Sequence, residues 1–127
     1  MFGLTESLKF YLYNRPTDMR KSFDALCQEV RGGMRRDPLS GEVFIFLNQR
    51  RDLMKMLHWE RGGLVLYYKR LEKGTYELPL HLSEDGTTKI HWPELIMMIE
   101  GLSLRDVKVR KRYVFCLLYT SPSPRDS

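Results

Sequence analysis

The sequence predicts an α+β fold: an antiparallel β-meander of four to five strands covered by two helices. Three features carry that expectation. Apolar runs over residues 43–47, 53–59, 64–71 and 75–80 are joined by short polar or glycine connectors, which force antiparallel neighbours. An apolar stripe at helical spacing precedes these runs, and a second follows them. With 127 residues the chain has room for one domain with a core of ordinary size.

At the start, Leu8, Phe10 and Leu12 alternate with Lys9, Tyr11 and Tyr13, the period of a strand with one buried face. Asn14-Arg15-Pro16-Thr17 is turn chemistry, with Thr17 placed to cap the helix after it and Asp18 near the positive end of its dipole. Met19, Phe23, Leu26, Cys27 and Val30 then fall on one helical stripe that faces a core, and Gly32-Gly33 ends the helix. On that stripe Cys27 reads as a buried, inert thiol.

In the loop Asp37-Pro38-Leu39-Ser40-Gly41, Pro38 and Gly41 shape the turn that launches the first meander strand. Residues 43–47 are continuously apolar, as a central strand requires. The connectors Gln49-Arg50-Arg51-Asp52, Arg61-Gly62-Gly63 and Glu72-Lys73-Gly74 separate it from three more strands, with Pro79 near the end of the last. Ser83-Glu84-Asp85-Gly86 turns the chain again, and a helix opens at Pro93 with Leu95, Ile96, Met98, Ile99 and Leu102 on its apolar face.

After Phe115 the patterning stops. Residues 116–127 end in a Ser/Pro-rich run and read as translated vector or assembly-junction sequence, a genuine disordered tail being the alternative. The expected domain is therefore residues 1–115. No apolar run approaches a membrane span, and the first residues lack the basic and apolar regions of a secretory signal. Two cysteines, Cys27 and Cys116, are too few for a disulfide scaffold, so a reducing, cytoplasmic setting is expected.

The formal charge is +5, and its distribution is uneven. Arg105, Lys108, Arg110, Lys111 and Arg112 face only Asp106, so residues 105–112 carry four of those five charges. A local excess of this kind suits a polyanion such as nucleic acid, while a solvated basic segment kept for solubility is the plain alternative.

The sequence carries none of the common catalytic constellations. His58, His81, His91, Cys27 and Cys116 form no close ligand pair of the C-x-x-C or H-E-x-x-H kind, so no metal is expected. There is no phosphate-binding glycine loop and no G-x-S-x-G, and neither cysteine has a histidine near it in sequence. The acids mostly neighbour a base, as Asp18 does Arg20 and Glu72 does Lys73, which reads as surface pairing rather than a two-metal site. Neither a catalytic residue nor a cofactor is expected.

A binding surface is what remains. Arg35, Arg36, Arg50, Arg51, Lys69 and Arg70 join the 105–112 stretch as candidate phosphate contacts, interleaved with Trp59, Tyr67, Tyr68 and Tyr76. Lys69 and Arg70 lie on opposite faces of one strand, so only one of them can reach a ligand on a given face.

Five segments in order also carry a family resemblance. They are the stretch 18–24 (Asp18-Met19-Arg20-Lys21-Ser22-Phe23-Asp24), the run 37–46 opening on Asp37-Pro38-Leu39-Ser40-Gly41, Lys55-Met56-Leu57-His58-Trp59-Glu60, the run 68–74 opening on Tyr68-Lys69-Arg70, and Glu100-Gly101-Leu102 with the basic end Lys111-Arg112-Tyr113. Together they resemble the TnpB accessory proteins of the insertion sequence 66 family, also called second-open-reading-frame-like proteins and distinct from the RNA-guided nucleases that share the name TnpB. The resemblance spans residues 8–113. It implies an accessory role in bacterial DNA transposition, with transposon DNA, the cognate transposase and another transposon-encoded accessory protein as partners, and no catalytic residues to carry over. A pure protein–protein adaptor for the transposase is the rival within binding functions. A small metal-dependent nuclease assembled in three dimensions is the rival from another class.

Overall fold

The computed structural model describes residues 5–100 of the chain. Strands β1 (Phe10–Tyr13), β2 (Val43–Leu47), β3 (Leu53–Glu60), β4 (Gly63–Arg70) and β5 (Thr87–Ile90) form one sheet in the order β4-β3-β2-β1-β5. Helix α1 (Phe23–Gln28), continued by a π-helical turn over Glu29–Gly33, and helix α2 (Trp92–Glu100) complete an α+β fold. No helix among the described residues is long and apolar enough to cross a membrane.

The run Val43–Leu47 is buried at every position because β2 sits at the middle of the sheet with packing on both faces. On one face Val43, Ile45 and Leu47 meet Phe10, Leu12, Met54, Met56 and Ile90 under Leu95 and Met98 of α2. On the other, Phe44, Phe46 and Leu57 meet Leu26, Cys27 and Val30 of α1 and its continuation, with Met34 beyond. Each helix thus owns one face of the sheet. Cys27 is buried as expected, and burial pushes its thiol up.

The meander is present in β2-β3-β4, which pair antiparallel in unbroken register. β1, however, pairs parallel to β2. The connection between them is long enough to carry α1 over one face, and a helical crossover is what a parallel neighbour requires. The other side of β1 takes β5 antiparallel. This strand escaped the sequence pattern because Thr87-Thr88-Lys89-Ile90 is short and half polar, although Thr88 and Ile90 are buried.

The expected strand over residues 75–80 is not one. Tyr76 is fully buried, its N–H donates to the Arg51 carbonyl and its hydroxyl donates to the Lys69 carbonyl, so the segment packs across the sheet instead of lengthening it. Pro79 has no N–H with which to continue a ladder.

The first helix also differs from expectation. It begins at Phe23, after a turn in which the Asp18 carboxylate accepts the Arg20 N–H, and Ser22 at its N-cap makes no side-chain capping bond. Thr17 is buried and donates its N–H to Leu47, so it ties the loop to the sheet and caps nothing. With the start at 23, Met19 reaches the core from the loop and Phe23 is left 41% exposed on the first turn.

Candidate nucleic-acid interface

The parallel strands β1 and β2 finish at one end of the sheet, where β3 and β5 begin and β4 finishes. The chain must therefore turn or depart there several times, and each departure carries basic residues. After β2, the Asn48 side chain accepts the N–H groups of Asp52 and Leu53 and donates to the Asp52 carboxylate. The Arg51 N–H closes the turn on the Asn48 carbonyl. This frame puts Arg50 out into solvent, while Arg51, held at φ +60°, reaches the Tyr76 carbonyl at 3.4 Å.

After β1, Asn14 bonds to the 83–88 segment through its N–H to Gly86, its amide to Ser83 and its side-chain oxygen, which accepts from Thr88. Arg15 follows, exposed. Arg35 stands opposite, just past the π-helical turn, at φ +58°. Between them lies a cleft of about 580 Å³ whose walls include Tyr13, Gly33 and the turn at Ser83–Gly86. The walls approach closely because Gly33 has no side chain: a Cβ there would sit 2.6 Å from the Tyr13 hydroxyl.

All three non-glycine residues at positive φ among the described residues are arginines: Arg35, Arg51 and Arg61. That region costs an L-residue about 1 kcal/mol, and Arg61 spends it in the β3–β4 turn, at the other end of the sheet. Arg35 and Arg51 spend it at the end that gathers Arg15 and Arg50. Arg15, Arg35 and Arg50 make no ion pair among the described residues. Three of the nearby acids are held by local bonds, Asp18 by Arg20, Asp52 by Asn48, and Asp85 by the Ser83 hydroxyl and the Thr87 N–H, while Glu84 is exposed on the wall of the cleft. Those bonds hold the Asp18 carboxyl at about 2 and the Asp85 carboxyl below its usual range.

The sequence-derived candidates divide accordingly. Arg35 and Arg50 are exposed and unpaired, and Arg51 is half-buried with one contact to a carbonyl. Arg70 is exposed at the end of β4 and pairs with Glu72 at 3.3 Å, a solvated contact of little energy. Two others belong to the fold. Arg36 makes two 3.0 Å bonds to Glu42 and lies 3.9 Å over the Tyr11 ring. Lys69 donates to the Ile99 carbonyl at 2.8 Å, at the C-terminal end of α2. Arg105, Lys108, Arg110, Lys111 and Arg112 lie outside the described residues, as does the 116–127 tail. Arg15 was missed, because its motif reads as turn chemistry and nothing in the sequence says that the turn opens beside Arg35.

Charge sets the weight of each part. Residues 5–100 hold 15 Lys and Arg against 14 Asp and Glu, so this portion is close to neutral and residues 105–112 hold the excess. Of the aromatics, Tyr76 is core, and burial raises its hydroxyl pKa far above the usual range; Tyr68 is 53% exposed on β4. Among the described residues no group of three His, Cys, Asp or Glu side chains is arranged to hold a metal ion.

Residues 8–109 match the family described as IS66 Orf2 like protein. The chain belongs to this family. Similar proteins include two from Sinorhizobium fredii, both described as uncharacterized. Protein y4jC is 28% identical over 108 residues, spanning 85% of this chain and 91% of that protein. Protein y4hO is 27% identical over 100 residues, spanning 79% and 85% respectively. No solved structure matches. Membership of the IS66 Orf2-like family supports an accessory role in transposition for this chain.

Proposed function

We propose that this IS66 Orf2-like chain serves transposition by holding DNA through the phosphate backbone, without catalysing strand chemistry itself. The observation that carries the proposal is the bond from Lys69 to the Ile99 carbonyl. It fixes the end of α2 one strand position from Arg70, at the end of the sheet where Arg70 pairs with Leu53 just after the Arg50-Arg51 turn. Arg105 follows Glu100 by five residues, a reach of roughly 17 Å at most. Phosphate contacts of this sort position a protein on DNA without reading its sequence, as suits an accessory factor.

Transposon DNA, the cognate transposase and a second transposon-encoded accessory protein are the partners this reading supplies. The test is binding of the full chain to duplex DNA at low salt, compared with an Arg15→Ala/Arg35→Ala/Arg50→Ala variant. The variant should bind three- to tenfold more weakly. The near-neutral fold favours one rival, an adaptor that captures transposase alone, and absence of DNA binding by the full chain even at low salt would select it; equal binding by both proteins would remove Arg15, Arg35 and Arg50 from the contact.

A further inference from the structure

We infer that the end of the sheet where β1 and β2 finish holds a single DNA strand, with unpaired bases in a row of hollows and phosphates on the arginines beside them. The inference rests on the reading of this chain as a phosphate-binding protein and names the form of DNA that suits this end. Beyond the cleft of about 580 Å³ at Arg15 and Arg35, three further hollows follow in sheet order. One of about 180 Å³ lies at the ends of β1 and β2, with Arg15, Leu47, Arg51, Leu78 and Leu82 on its walls. One of about 420 Å³ lies between the 16–19 loop and the β2–β3 turn, where Met19, Arg50 and Leu53 meet. The last, of about 190 Å³, is formed by Leu53, Tyr68 and Arg70, where β3 begins and β4 finishes.

Neighbouring hollows share walls. Arg15 and Leu82 belong to the first and second, Pro16 and Asn48 to the second and third, and Leu53 to the third and fourth. The row therefore follows the strands from β5 to β4, four spacings or roughly 19 Å. That is at most about six nucleotides, even at the 3.4 Å rise of stacked bases. Each hollow sets at least one arginine beside an apolar or aromatic wall. These are the two components that hold an unpaired strand, a cation for the phosphate and a surface for the base.

The apolar component favours a single strand over a duplex. A duplex keeps its bases stacked inside and offers phosphates outside, so Leu82, 37% exposed, and Tyr68, 53% exposed, would gain nothing from it. Unpaired bases cover both. The Lys55 ammonium, 4.6 Å from the Tyr68 ring centroid, holds that ring in place beforehand. Of the acids along the row, Asp18 and Asp85 are engaged by their own neighbours. Glu84, exposed on the wall of the first cleft, repels phosphate and can accept from the exocyclic amine of a base, which leaves the phosphate to Arg15 and Arg35.

Fluorescence anisotropy of the full chain with a mixed-sequence strand of roughly twelve nucleotides, twice the span of the row, is compared with the same sequence as a duplex at one salt concentration. The single strand should bind at least as tightly, although the duplex has the higher charge density. Tyr68→Ala/Leu82→Ser removes no charge. It should weaken the single strand by at least about fivefold and leave the duplex within about twofold. Circular dichroism checks that the variant is folded. A bromodeoxyuridine-substituted strand, irradiated with the parent chain, should cross-link to peptides that contain Met19, Tyr68 or Leu82, a readout that needs no variant. A duplex that outcompetes the strand, equal losses on both forms in a folded variant, or cross-links confined to residues beyond 100 would overturn the inference and leave the phosphate reading in place. No binding of either form would remove both.

Discussion

Lys69 of β4 donates to the Ile99 carbonyl at 2.8 Å, and this contact joins the edge of the sheet to the end of α2. The last carbonyls of a helix lack partners within it and carry the negative end of its dipole, so a lysine there satisfies an orphan acceptor and opposes the charge. A Lys69→Met substitution should cost about 1–2 kcal/mol, read as a lower urea midpoint at unchanged slope. An unchanged midpoint would show that α2 is held by its apolar face alone.

Lys55 makes a second such link on the opposite face. Though 6% exposed, it donates to the Met19 and Lys21 carbonyls at 2.8 and 2.6 Å and lies 4.6 Å from the Tyr68 ring centroid. Burial lowers its ammonium pKa. Methionine at this position would fill the space but leave two backbone acceptors without their donor, at a cost of about 2 kcal/mol in chemical denaturation. Amide exchange should quicken in the 17–22 loop before α1 is affected.

The Arg36–Glu42 pair gives the fold a pH dependence. Hydrogen bonding from Arg36 is the main cause that holds the Glu42 carboxyl below its usual value near 4.5, against the opposing effect of its burial. A carboxylate depressed in the folded state contributes stability above its unfolded pKa and loses it as pH falls through the folded value. Glu42→Gln should therefore cost about 0.5–1 kcal/mol at pH 7, a figure reduced for partial exposure. The difference from the parent chain should shrink as pH falls below 4.5 and vanish once Glu42 is protonated in the folded state as well, as followed by thermal melts.

Much of this fold is legible in the residues themselves. The apolar run at 43–47, the Arg61-Gly62 turn with Gly62 at φ +80°, and the alternation over residues 8–13 act locally, so strand and hairpin follow from sequence. The parallel pairing of β1 with β2 does not, because register between distant strands is decided by the crossover rather than by either strand. Residues 75–80 show the same limit: an apolar segment anchored by the buried Tyr76 looks like a strand until its N–H is found bonded elsewhere. At the interface, basic residues were visible but not their partners. Nothing in the spacing separates Arg36, locked to Glu42, from Arg35, which is free beside it, and Arg15 meets Arg35 only because the chain closes β5 against β1.

DNA binding by the full chain across a salt series tests the central claim most directly, with a Lys111→Ala/Arg112→Ala variant alongside. Five phosphate contacts from residues 105–112 would give a log–log slope of roughly −4 to −5 on duplex DNA, because each neutralised phosphate releases condensed counterions. The variant should flatten that slope by about two units and weaken binding alike on unrelated sequences. No detectable binding at low salt, or a slope unmoved by the two substitutions, would contradict the account.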